Sequence, residues 1–193
     1  MSRRTGYHHG DLRNALERAA LELVAERGAH GFTMAEASRR ANVSVAAPFK
    51  HFANRDALLA ALALRGYQEQ ERRFAHAVAS ANDPVEQLAA FAVAYVQFAI
   101  DERALFEITF AAGLDKTTHP ELEQAGGQVL EVLVAPAKSL RPRRKDAIEL
   151  VHAVGALAHG CAAFLQERIF TAEQATSTAR ASARAVARDH ATR

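Results

Sequence analysis

The chain has 193 residues, 49% of them apolar and 24% charged, with a formal net charge of +2. This balance excludes a disordered polyelectrolyte and leaves room for one large or two small globular domains. A single cysteine, Cys161, excludes an internal disulfide and suits a reducing compartment.

Charge is unevenly shared. Residues 1–55 hold nine Lys or Arg against five Asp or Glu, whereas the remaining 138 hold fifteen against seventeen. A basic front on a near-neutral body is the footprint of a module that meets a phosphate backbone. Glycine and proline sit mostly between periodic segments, so the expectation is all-helical. No charged-then-apolar leader opens the sequence, and its apolar runs are broken by Gln97 or by Glu149, His152 and His159. A cytoplasmic protein that does not span a membrane is expected.

Arg3 and Arg4 are candidates for an arm along the minor groove or phosphates, although an untethered terminus is the simpler reading. His8 and His9 diverge on a helix and have no third ligand nearby, so no metal site is expected there. Asp11 opens a helix whose Leu12, Leu16, Ala19, Ala20, Leu23 and Val24 recur at helical spacing, and Gly28 ends it. Thr33 and Glu36 form a capping box for a helix over residues 34–41, and Asn42 tolerates the left-handed backbone of a tight turn.

A second short helix is expected over about residues 45–52, capped by Ser44 and with Pro48 near its start. Val45, Ala46 and Ala47 leave a thin profile that fits a groove, while Lys50 and His51 supply donors toward phosphates and base edges. Asn54 then caps a long helix from Arg55 to about residue 81, the mechanical link to the rest of the chain.

The order Thr33, Ala41, Val43, Ser44, Phe49, His51, Phe52, Arg55 resembles the helix-turn-helix of the TetR family of transcriptional regulators, and residues 7–28 resemble that family's first helix. The resemblance implies a three-helix DNA-binding domain over residues 1–54 and a helical regulatory and dimerisation domain over 55–193, about nine helices in all. It also implies DNA contacts at Thr33, Ser44, Val45, Ala46, Ala47, Phe49, Lys50, His51 and Arg55. Three residues depart from the family pattern: Asn42 for the usual glycine, Pro48 for a common leucine and Phe49 for the usual tyrosine. Without that hydroxyl, Phe49 can only pack or touch a thymine methyl.

Further along, Asp83 and Pro84 start a helix to about residue 100, another spans about 103–110, and Pro120 restarts helix after a loop. Pro136 should kink or split its segment near Ala135. The last two helices, about 145–167 and 171–190, are rich in small residues; the second opens with a Thr171–Gln174 capping box. Ala175, Ala179, Ala183 and Ala187 would admit a close helix, either within the chain or from a second copy, and a two-fold operator demands a dimer. Residues 90–110 and 151–165 resemble the regulatory domain of one TetR subgroup, although the tryptophan usual before the second segment's His-Gly is absent.

Tyr95, Phe98, Phe106 and Phe110, with His152, are the candidate walls of a pocket for a mostly apolar effector; each aromatic taken singly reads as core. His152 and His159 lie seven apart and fit a ligand or a carbonyl better than a metal, and Cys161 lacks the basic neighbour of a reactive thiol. No phosphate loop, zinc-protease motif or nucleophile elbow occurs, so no enzyme and no cofactor are expected. The expected function is a dimeric, ligand-responsive DNA-binding regulator acting as a repressor. The alternative is a helical sensor that works through a protein partner without specific DNA binding.

Overall fold

The computed structural model describes residues 9–115 and 117–191, and among these every regular element is helical. The described residues form eight α-helices: α1 (His9–Arg27), α2 (Met34–Arg40), α3 (Arg55–Ala79), α4 (Pro84–Asp101), α5 (Arg103–Ala111), α6 (Pro120–Leu140), α7 (Arg144–Gln166) and α8 (Ala172–Ala191). A single 3₁₀ turn, Pro48–Lys50, stands between α2 and α3. Arg3, Arg4 and His8 lie outside the described residues.

The chain packs as two compact units, Met1–Gly66 with Arg103–Leu122, and Tyr67–Glu102 with Glu123–Arg193. The first unit includes α5 because that helix packs on α1. Its Glu107 carboxylate accepts the Ala29 backbone N–H at 2.6 Å, just beyond the end of α1. Gly66 lets α3 approach α5: a Cβ there would stand 2.6 Å from the Thr109 hydroxyl.

In the first unit the six apolar positions of α1 from Leu12 to Val24 are all buried, as their spacing implies, and they are joined by Phe32, Ala37, Phe52, Leu58 and Leu59. The second unit is built on α4, α7 and α8. Ala175, Ala179, Ala183 and Ala187 form an i, i+4 stripe down α8 with no exposed surface, and that helix packs on both α4 and α7. The alanine stripe of α8 is thus an intramolecular contact: residues without a γ-carbon let three helices share one seam.

Local signals behave as their chemistry requires. The Asp83 carboxylate accepts the Val85 and Glu86 N–H groups at 2.9 and 3.1 Å, and the Thr171–Gln174 pair closes its capping box at 2.9 and 3.2 Å. Pro136 is an exception, since α6 runs through it unsplit. A proline deletes one hydrogen bond, and buried Leu133, Val134 and Ala137 on either side hold the helix against that loss. One described helix, α7, is long and apolar enough to match a bilayer, yet its Leu150, Val154, Ala158 and Ala162 are buried in the second unit.

Arg73 gathers Glu69, Asp101 and Glu102 at 2.6, 2.8 and 3.2 Å while lying over the Phe98 ring. Hydrogen bonds from Arg72, and then from Arg73, hold the Glu69 carboxyl down to about 2.

Candidate nucleic-acid interface and effector site

The front of the first unit is set by short-range chemistry. Thr33 Oγ1 accepts the Glu36 N–H at 3.3 Å while Glu36 Oε2 accepts the Thr33 N–H at 2.9 Å. Glu36 also accepts from Arg27 at 2.9 Å, which ties the end of α1 to the start of α2. These bonds, led by the Thr33 backbone N–H, keep the Glu36 carboxyl below its ordinary range. Asn42 adopts φ 56°, the left-handed turn its position implies, and Val43 N–H closes on the Ser38 carbonyl at 3.0 Å.

The expected α-helix over residues 45–52 is replaced by a turn and the 3₁₀ segment Pro48–Lys50. The reason is Pro48. Having no N–H, it cannot bond to the Ser44 carbonyl, which instead accepts the Ala47 N–H at 3.0 Å in an i→i−3 closure. His51 N–H then bonds to the Pro48 carbonyl at 2.9 Å. Ser44 accordingly precedes a turn and caps no α-helix. Pro48 and Phe52 are buried, with the Arg13 guanidinium over the Phe52 ring at 5.2 Å, so this end of the segment is anchored.

Anchoring these two turns the others outward. Thr33, Ser44, Val45, Ala46, Phe49 and Lys50 are exposed, and Ala47 and His51 are half-buried. Arg55, an expected DNA contact, is half-buried and has internal partners: its guanidinium donates to the Ala29 carbonyl, pairs with Asp56 at 3.3 Å and lies 5.0 Å over the Phe32 ring. Three internal partners make it a clasp of the first unit.

The five residues assigned to an effector pocket are distributed over both units. Phe106 and Phe110 belong to the first unit, with ring centroids 5.0 Å apart. His152 is exposed on α7. Tyr95 and Phe98 are buried in the second unit, and Tyr95 meets His159 rather than His152, its hydroxyl 2.9 Å from Nδ1. Burial pushes the Tyr95 phenol up and the His159 imidazole down, so both stay neutral near pH 7. Cys161 is likewise buried with its thiol pushed up, which opposes a reactive thiolate. Among the described residues no three His, Cys, Asp or Glu gather as a metal set.

Two interior residues of the second unit escape a reading that looks for aromatics after residue 90. Phe74 stacks on Tyr95 at 5.6 Å and meets Phe91 edge-on at 4.9 Å. Gln70 is 1% exposed, and its amide nitrogen has no hydrogen-bond partner. Tyr67, Gln70 and Phe74 share a face of α3 at i, i+3, i+7 spacing, a signal that the sequence did carry.

Comparison with known proteins agrees with this architecture. Residues 17–62 match the family model for bacterial regulatory proteins of the tetR family, and residues 88–189 match the tetracyclin repressor-like C-terminal domain. An uncharacterized HTH-type transcriptional regulator, YobS of Bacillus subtilis, is 26% identical over 156 residues, 81% of this chain and 80% of its own. A solved protein of unknown function from Rhodococcus sp. RHA1 superposes with a TM-score of 0.79 at 28% identity, covering 96% of this chain and 98% of its own. The transcriptional regulator FadR of Bacillus subtilis, solved with stearoyl-CoA, superposes at 0.72 with 12% identity over 90% of this chain and 96% of its own. With both family models matched in chain order and a helix-turn-helix at the place the first one covers, the chain belongs to the TetR family of DNA-binding transcriptional regulators.

Proposed function

We propose that this protein is a homodimeric repressor, released from its operator by a small, mostly apolar effector bound inside the second unit. The observation that carries the effector reading is Gln70. A buried amide donor without a partner costs about 1–3 kcal/mol, and this one lies on the α3 face between Tyr67 and Phe74, the latter stacked on Tyr95. A ligand with an apolar body and one hydrogen-bond acceptor would satisfy it, oriented further by the Tyr95–His159 pair. That FadR was solved with an acyl-CoA supports an effector with a long apolar portion.

The test is Gln70→Met, of similar length and without the amide. Thermal stability should stay level or rise, while release of the protein from DNA by small molecules extracted from the purified wild-type chain should be lost. A marked fall in stability, with release intact, would make Gln70 a structural residue.

The dimer is assigned to the outer faces of α7 and α8. Gly155 and Gly160 have open space where a Cβ would stand, Ala156 is exposed beside them, and Phe164 and Ile169 present apolar surface nearby. Close helix approach there would tether two reading heads to two half-sites. Ala156→Glu should therefore sediment as a folded monomer and lose operator affinity; an unchanged dimer would move the interface elsewhere.

A further inference from the structure

We infer that this regulator reads its operator chiefly through thymine C5-methyl groups, with Val45 and Phe49 as the specificity-determining contacts. The inference rests on the DNA-binding role of the helix-turn-helix and goes beyond it to the kind of base that is recognised.

Two observations carry it. Val45 is 54% exposed and Phe49 56% exposed, among the most exposed large apolar side chains described. Pro48 and Phe52, both buried, hold the segment to the first unit and leave more than half of each of these two side chains facing solvent. Exposed apolar surface of this kind on a folded unit marks a contact site.

The second observation is what the segment lacks. Between Ser44 and Lys50 the side chains are Ser, Val, Ala, Ala, Pro, Phe and Lys, so five in succession carry no hydrogen-bonding group. Guanine, cytosine and adenine offer only donors and acceptors in the major groove; thymine alone adds a methyl group. A surface of Val45, Ala46, Ala47 and Phe49 can discriminate among bases only by that methyl. Polar readout falls to Ser44 and Lys50 at the two ends, and Lys50 is a point charge that suits a phosphate as well as a guanine.

The 3₁₀ geometry reinforces this division. Because Pro48 shortens the helix, few side chains reach a groove floor, and discrimination must come from a few apolar contacts.

The test uses the full chain and duplexes it selects from a random-sequence pool. In the selected site each thymine is replaced singly by deoxyuridine, which removes only the methyl, and separately by cytosine or 5-methylcytosine paired with guanine. Deoxyuridine should weaken binding about fourfold at each contacted thymine, the factor corresponding to one buried methyl-sized group. At those positions 5-methylcytosine should bind better than cytosine. Val45→Ala and Phe49→Ala should each abolish the thymine–uracil difference at one position, whereas Lys50→Ala should keep it and reduce the salt dependence. Circular dichroism confirms that these surface variants are folded. Equal affinity for thymine and uracil at every position, or a difference that survives in both apolar variants, overturns the inference. Selection of no duplex at all would overturn DNA binding itself.

Discussion

Phe74→Ala should lower the unfolding free energy by roughly 3–5 kcal/mol, the cost of deleting a fully buried phenyl ring. The ring has no exposed surface and holds two neighbours at once, Phe91 edge-on at 4.9 Å and Tyr95 in a stack at 5.6 Å. Such pairs add to the burial term because each prefers its offset geometry. For a chain of this length the loss should lower the midpoint by on the order of 10 °C. The same change removes the wall beside Gln70, so small-molecule release should fail together with stability. Circular dichroism melting of the variant checks the first part; a midpoint within a degree or two of wild type would mean that the surrounding helices close the gap.

Gly31→Ala should damage DNA binding more than its size suggests. A Cβ at Gly31 would stand 2.3 Å from the Arg27 carbonyl oxygen and 2.6 Å from the Arg27 Cβ. Backbone cannot rotate away as a side chain can, so the end of α1 must move. That end is where Arg27 reaches Glu36 at 2.9 Å, and Glu36 in turn holds the Thr33 cap of α2. Overpacking of this kind costs roughly 1–3 kcal/mol, and the displacement should also tilt α2 and the reading segment behind it. Operator affinity should fall at least tenfold. Gly127→Ala is the control: nothing lies within 4 Å of its Cβ position inside α6, so it should stabilise by about 0.5–1 kcal/mol through lost chain entropy. Equal behaviour of the two variants in melting and band-shift measurements would show that the Arg27 contact is absorbed locally.

What lay within three or four residues was legible in the sequence. Thr33 with Glu36, Asp83 with Glu86 and Thr171 with Gln174 each cap a helix as their spacing implied, since a cap needs only its own first turn. The left-handed turn at Asn42 and the buried face of α1 followed for the same reason, as did the helix-turn-helix resemblance, a string of such local requirements.

Other assignments depended on partners far along the chain. Arg55 stands where a phosphate ligand is expected, and only folding shows that the Ala29 carbonyl and the Phe32 ring also hold it. The alanines of α8 suit any close helix, and only packing determined that α4 and α7 take that place. His152 and His159 have equal claims at seven-residue spacing, yet one is exposed and the other meets Tyr95, sixty-four positions away. Pro48 stands between the two classes: its missing N–H was visible, but that its ring would be buried along with Phe52, with Val45 and Phe49 left exposed, was not. The sequence by itself determined where helices start and what each face can bind, because those properties are set by neighbouring residues. Which face meets solvent, DNA or another helix was decided by the tertiary structure, because burial depends on contacts that no local spacing encodes.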